Sequence, residues 1–208
     1  MVLGRDSRGR LRGEAPTTTT IDVFRLDPDR RSDFFAVHSG ENGCDFCFCV
    51  AWWVPTWDGW DERTPAENRA LRQSLFERGE DDGYLLYVEG NPAAWAQVGR
   101  RDRLDHLTQA YGLEPDPDVW AITCFLVAPA FRRQRLATRL LEAVLQDLRG
   151  RGVRRVEAFP RRGGELSPEH LWTGPEALFL RAGFVVARDD PRRPVLAASL
   201  SGDGGTVE

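Results

Sequence analysis

Apolar and polar positions along the chain alternate between two periods, one near 2 and one near 3.6. Thr19–Leu26 alternates around β-branched residues and predicts a strand. Asp27-Pro28 offers an N-cap and a residue suited to a first helical turn, so Asp27–Val37 is expected as a short helix. Thr64-Pro65-Ala66-Glu67 has capping-box spacing and opens a helix to about Arg78, with Leu71 and Leu75 on one face. Tyr84–Glu89 and Ala93–Gly99, joined across Gly90-Asn91-Pro92, predict a β-hairpin. The polar connection over 101–118 holds a candidate short helix near Leu104–Ala110. Val119–Val127 is almost wholly apolar and reads as a central strand buried on both faces. Apolar residues then fall at 136, 140, 141, 144, 145 and 148, a stripe that predicts a helix over Arg133–Leu148, stopped by Gly150 and Gly152. Val153–Phe159 is a further strand, 160–174 a loop rich in Gly and Pro, and Pro175–Ala182 a short helix ended by Gly183. Phe184–Arg188 and Val195–Leu200 close the series as strands. The order β-α-α-β-β-β-α-β-α-β-β predicts one α+β domain over 19–200, built on a mixed sheet. The Arg-, Gly- and Thr-rich stretch 1–18 and the tail 201–208 are expected to be disordered.

Composition narrows the chemistry. Of 208 residues, 28 are basic and 32 acidic, and every basic residue is Arg. Without Lys there is no P-loop lysine, no kinase strand lysine and no Schiff-base lysine, so those three chemistries are excluded. A net charge of −4 gives no overall bias toward nucleic acid, and no apolar run approaches the length of a membrane span. The first twenty residues lack the apolar stretch of a secretory signal, so a cytoplasmic, reducing setting is expected, with Cys44, Cys47, Cys49 and Cys124 as thiols. Charge is unevenly placed. Residues 131–162 hold ten Arg and three acids, against 18 Arg and 29 acids elsewhere.

The informative segment runs from Cys124 to Thr138, where a buried strand passes through a tight turn into a long helix. The first N–H groups of a helix have no internal partner and its dipole is positive there, which suits a pyrophosphate. Arg132, Arg133 and Arg135 add positive charge at the same place. Here the chain resembles the GCN5-related N-acetyltransferase (GNAT) superfamily, whose pattern V-x-P-x-[FY]-[RQ]-x-x-G-x-[GA] is met by Val127, Pro129, Phe131, Arg132 and Ala137. Gly183-Phe184 fits the family's G-F after its last helix, and the resemblance extends over roughly Ile21–Leu200.

The resemblance implies a GNAT-like, mostly antiparallel sheet of six or seven strands flanked by about four helices. It also implies transfer of an acetyl group from acetyl-CoA to a primary amine by direct attack. The pantetheine arm would pair with the backbone at Phe125, Leu126 and Val127. The pyrophosphate would lie on the N–H groups of Arg133, Gln134, Arg135, Leu136, Ala137 and Thr138, with Arg132 or Arg133 near the phosphates. Two positions depart from the family. Arg135 stands where the pattern has its first Gly, and helical dihedrals are expected to accommodate it. Phe179 stands where family members often carry a Tyr acid. Ala121 replaces the Glu that some members use as base, which leaves Glu157 as the candidate base and His106, in a polar connection, as another. The competing expectation for Glu157 is a surface pair with Arg154 or Arg155.

Residues 40–60 carry three Cys and four Trp. In the GNAT architecture this loop borders the acceptor side, so Trp52, Trp53 and Cys49 are candidates for an acceptor pocket, with Trp57 and Trp60 beside them. A C-x-C pair followed by Trp also resembles one branch of the superfamily, which implies no substrate. Two other functions remain open: a CoA-binding module without catalysis, and an interaction protein with zinc on the four cysteines. No metal is expected in the preferred reading. The expected acceptor is a small-molecule or peptide amine, with no nucleic-acid or membrane partner, and the chain is expected as a monomer or homodimer.

Overall fold

The computed structural model describes residues 19–42, 44–163 and 171–200. The arm 1–18 and the tail 201–208, expected as disordered, lie outside the described residues, as does much of the 160–174 loop. The strands are β1 (Ile21–Arg25), β2 (Tyr84–Val88), β3 (Asn91–Arg100), β4 (Val119–Val127), β5 (Arg155–Ala158), β6 (Val185–Arg188) and β7 (Val195–Ser199). The helices are α1 (Arg31–Val37), α2 (Pro65–Glu77), α3 (Asp105–Tyr111), α4 (Leu136–Gly150) and α5 (Glu176–Arg181). They form one seven-stranded sheet in the order β1-β2-β3-β4-β5-β7-β6. All neighbours are antiparallel except β4 and β5.

Local chemistry sets most boundaries. Thr64 and Glu67 form the full capping box of α2, each side chain satisfying the other's backbone N–H. Asp27 caps a 3-10 turn at Pro28–Arg30, and the α-helix begins only at Arg31. The hairpin turns one residue earlier than expected. Glu89 and Gly90, both at positive φ (50° and 76°), link Val88 to Asn91 as a two-residue turn, whose twist matches that of the strands. The candidate helix near Leu104–Ala110 is α3.

The sheet is covered on both faces. Leu136, Leu140, Leu141, Val144, Leu145 and Leu148 of α4 are all buried, and with Leu178 and Phe179 of α5 they pack on one face. Phe34 and Val37 of α1 and Phe76 of α2 pack on the other, against Leu85, Tyr87 and Trp95. A third cluster joins Trp52 to Leu107 and Tyr111 of α3 and to Phe159. Among the described residues, no helix is long and apolar enough to cross a membrane.

Candidate active site

Strand β4 is where the sheet opens. Its parallel pairing with β5 covers only Val119–Ile122 against Arg155–Ala158. On its other side, Val98 faces Ile122 and Gln97 faces Cys124, so Thr123 is an extra residue, a bulge. Beyond it, Ala128 N–H bonds Ala93 carbonyl at 2.9 Å. Backbone polar groups alternate in an antiparallel ladder, so those of Leu126 face β3 while those of Phe125 and Val127 face the opened side. Of the three residues expected to pair with pantetheine, two therefore present their backbone to the cleft. Phe125 N–H is not vacant: it donates to the Trp172 carbonyl at 2.7 Å. Gly174 permits that approach, since a Cβ there would meet the rings of Phe179 and Phe125 at 2.9 and 3.1 Å.

The turn after β4 differs from expectation. Residues 129–131 form a 3-10 turn, Arg133 and Arg135 take left-handed conformations (φ 63° and 58°), and the helix begins at Leu136 rather than Arg133. Arg135 is thus not helical. It occupies the conformation for which Gly is the natural residue, as the family pattern has it. The consequence is a run of six N–H groups, from Arg133 through Thr138, that donate to no described residue; the next, Arg139 N–H, reaches Arg135 carbonyl at 3.1 Å. Arg132, Arg133, Gln134, Arg135 and Thr138 are exposed or half-exposed. Arg132 is tied back to β4, its Nε donating to Val127 carbonyl at 3.2 Å. Beside this turn lies a cleft of about 380 Å³ between α4 and α5, lined by Arg135, Thr138, Leu141, Glu142, Leu178 and Arg181 among others.

The sequence cluster of ten Arg disperses in space. Arg132, Arg133, Arg135 and Arg139 stay near the helix start. Arg149 lies about 20 Å down the helix at 1.5 Å per residue. Arg162 is bound to Glu176 and Asp189.

Glu157, the candidate base, is 3% exposed, and both its oxygens accept from guanidinium groups: Arg101 Nη1 at 2.6 Å and Arg155 Nη2 at 2.8 Å. The surface pair with Arg154 or Arg155 is therefore half right in partner and wrong in place. Such a carboxylate anchors β5 to the Arg101 turn, with both oxygens occupied. His106 is not a solvated loop residue. It is buried on α3 between Trp52 and Trp57, with ring centroids at 5.4 and 4.8 Å, and burial pulls its pKa down. Trp52 and Trp53 keep buried indole N–H groups without a partner among the described residues, and His106 Nδ1 is likewise unpaired. Phe179 is fully buried against Phe125 and Phe184, so its place holds packing and no acid. Cys49 does not join this aromatic wall. It sits in the α1–α2 layer, touching Cys124. Among the described residues, no three His, Cys, Asp or Glu side chains converge as metal ligands.

The family model described as Acetyltransferase (GNAT) family matches residues 48–164. An N-acetyltransferase from Staphylococcus aureus is 13% identical with a TM-score of 0.51, over 88% of this chain and 99% of that one. An acetyltransferase from Thermus thermophilus is 16% identical with a TM-score of 0.52, over 86% and 97%. The PaiA N-acetyltransferase from Thermoplasma acidophilum, in complex with coenzyme A, is 9% identical with a TM-score of 0.50, over 86% and 99%. These likenesses are of fold. No curated protein matches the chain in sequence.

Two outcomes are expected from this geometry. Arg135→Gly should raise stability by roughly 0.5–1 kcal/mol, the left-handed strain relieved less the added chain entropy; urea unfolding that shows a loss would contradict the strain. Glu157→Gln should cost about 3 kcal/mol by leaving the buried Arg101 guanidinium with Asp116, at 3.9 Å, as its charge partner; an unchanged midpoint would show that the pair is solvated.

Proposed function

The chain belongs to the acetyltransferase (GNAT) family, and from that premise we propose that it transfers an acetyl group from acetyl-CoA to a primary amine by direct attack. The observation that carries this reading is the run of six free N–H groups at Arg133–Thr138, opening on the cleft between α4 and α5. A pyrophosphate needs several donors and nearby positive charge, and free N–H groups beside Arg residues support this placement. Arg133, Arg135 and Arg139 give fixed charge. The Thr138 hydroxyl lies at the same rim. Main-chain recognition explains how the site tolerates Arg where the family has Gly: the φ of 58° is kept, and the side chain is free to lie along the cleft.

Acetyl-CoA would supply an activated thioester. The chain's part is to hold it and to bring the amine to it. Phe125 and Val127 turn their backbone groups toward the opened side of β4, where an extended arm has strand-like partners. To use Phe125 N–H, such an arm must take the place of the Trp172 carbonyl. Trp52 and Trp53, with His106, are assigned to the acceptor side; their indole N–H groups and His106 Nδ1 are buried and without a partner among the described residues, polar groups that a small or peptidic acceptor could satisfy. Glu157 is assigned a positioning role; the attacking amine is then used as the free base, its proton leaving to water. Phe179 donates nothing, which a thiolate leaving group tolerates. The setting is taken as cytoplasmic and reducing, with no nucleic-acid or membrane partner, and the chain acts as a monomer or homodimer. A second reading, a CoA-binding module without transfer, is favoured by the Trp172 carbonyl already seated on Phe125 N–H.

Calorimetry with acetyl-CoA tests the shared part. Binding is expected, and Arg133→Glu should weaken it about tenfold, roughly 1.4 kcal/mol, with less effect in high salt. An unchanged affinity at low salt would contradict the placement of the phosphates. Release of CoA thiol with an amine panel, rising with pH as the amine loses its proton, separates the enzyme from the module.

A further inference from the structure

The α1–α2 layer contains a second chemical site that the acyl-transfer reading does not use. Arg72 is fully buried, and among the described residues it takes part in no ion pair with a carboxylate. Its Nε donates to Phe48 carbonyl at 2.9 Å, and Nη2 to Cys49 carbonyl at 2.5 Å and Gln97 Oε1 at 3.0 Å; Nη1 has no partner among the described residues. The two carbonyls it grips belong to consecutive left-handed residues, Phe48 (φ 43°) and Cys49 (φ 51°). Neither is Gly, so the turn is strained, and strain of this kind persists where surrounding contacts hold a side chain in place.

The side chain so held is Cys49. Three groups converge on its sulfur. Trp95 Nε1 donates at 3.2 Å, Cys124 Sγ lies at 3.0 Å, and His38 Nε2 at 3.4 Å. His38 Nδ1 faces Phe34 carbonyl at 2.9 Å and must carry a proton there, so Nε2 is the nitrogen that shares or takes the Cys49 proton. A buried cation without a carboxylate, two donors and an imidazole together stabilise sulfur as an anion. Burial alone would push the Cys49 thiol up; the bond from Cys124, His38 and Arg72 carry it well below the ordinary thiol value. Cys124 is pushed well above by its bond to Cys49 and by burial. Burial raises Cys47 to about 12 and also raises Cys44. The most nucleophilic sulfur is thus one of the two most buried.

We propose that Cys49 and Cys124 form a peroxide-reactive dithiol that closes to a disulfide. The Cys49 thiolate attacks one oxygen of hydrogen peroxide or a small organic hydroperoxide, the O–O bond breaks, and the other oxygen leaves, protonated, as water or an alcohol. The resulting Cys49 sulfenic acid meets the Cys124 thiol. An S–S bond forms, the S–OH bond breaks, and water leaves. The peroxide is reduced by two electrons and the two cysteines are oxidised by two. Each cysteine residue retains 8% exposure, so a small peroxide is the oxidant best matched to this site. The bridge would join the loop after α1 to β4, one residue before Phe125.

The test uses the full-length protein, reduced, freed of reductant and treated with equimolar hydrogen peroxide at neutral pH. Thiols counted after denaturation should fall from four to two, and non-reducing peptide mapping should show Cys49 linked to Cys124. Cys44→Ser/Cys47→Ser should lose two thiols at the same rate, and Arg72→Met should slow the reaction about tenfold as the thiolate fraction falls. Four surviving thiols, first oxidation at Cys44 or Cys47, or a link between any other pair overturns the proposal. Because the readout is thiol chemistry, it stands or falls independently of acetyl-CoA use.

Discussion

Everything at the candidate site depends on β4 being held on one edge and released on the other. Antiparallel pairing to β3 holds the strand from Trp120 to Val127, broken only at Thr123, while parallel pairing to β5 ends at Ile122. A sheet that stayed zipped would consume the backbone groups of Phe125 and Val127. Released, they face the opened side beside the turn at Arg133–Arg135, where Phe125 N–H meets the Trp172 carbonyl and the Val127 carbonyl accepts from Arg132 Nε. The Thr123 bulge sits where the release begins and sharpens the local twist. The packing of α4 across β2, β3 and β4 then fixes where its open N-terminus points, because six buried aliphatic residues leave that helix one orientation.

Much of this was legible in the chain. The apolar run Val119–Val127 and the stripe from Leu136 to Leu148 locate β4 and α4 because each is a burial pattern with one period, and burial decides both elements. The turn between them was not legible as drawn. Arg is a good helix former, so Arg133 and Arg135 read as helix by propensity. Only the Gly of the family pattern pointed to a left-handed residue there, and its signal was the shape of the backbone rather than the side chain. The surroundings of Glu157 and His106 are hidden from the sequence for a different reason. Their environments are set by Arg101, 56 positions from Glu157, and by Trp52 and Trp57, which are distant in sequence from His106. No local pattern carries such pairings. The Trp172 carbonyl on Phe125 N–H was invisible in principle, since a backbone contact leaves no mark on residue type.

The Arg-only composition also changes meaning in three dimensions. The ten Arg of residues 131–162 do not form one basic surface. Arg162 ties α5 to the β6–β7 connection through Glu176 and Asp189, Arg155 pairs with Glu157 within β5, Arg151 pairs with Asp147 at the end of α4, and four remain about the helix start. Arg72 is a different case: a guanidinium placed in the core to hold a strained turn and its cysteine. The same residue type thus serves as a surface charge, a structural tie and an internal counter-charge, according to what each one faces.

The central claim is that the free amides of Arg133–Thr138 are the phosphate-binding element. Backbone amide hydrogen exchange, with and without acetyl-CoA, reads those groups directly. The account predicts fast exchange over 133–138 in the free protein and marked slowing there on addition of acetyl-CoA, with the interior of α4 unchanged. Saturating ligand that leaves 133–138 exchanging as before, or that protects another segment instead, would contradict it.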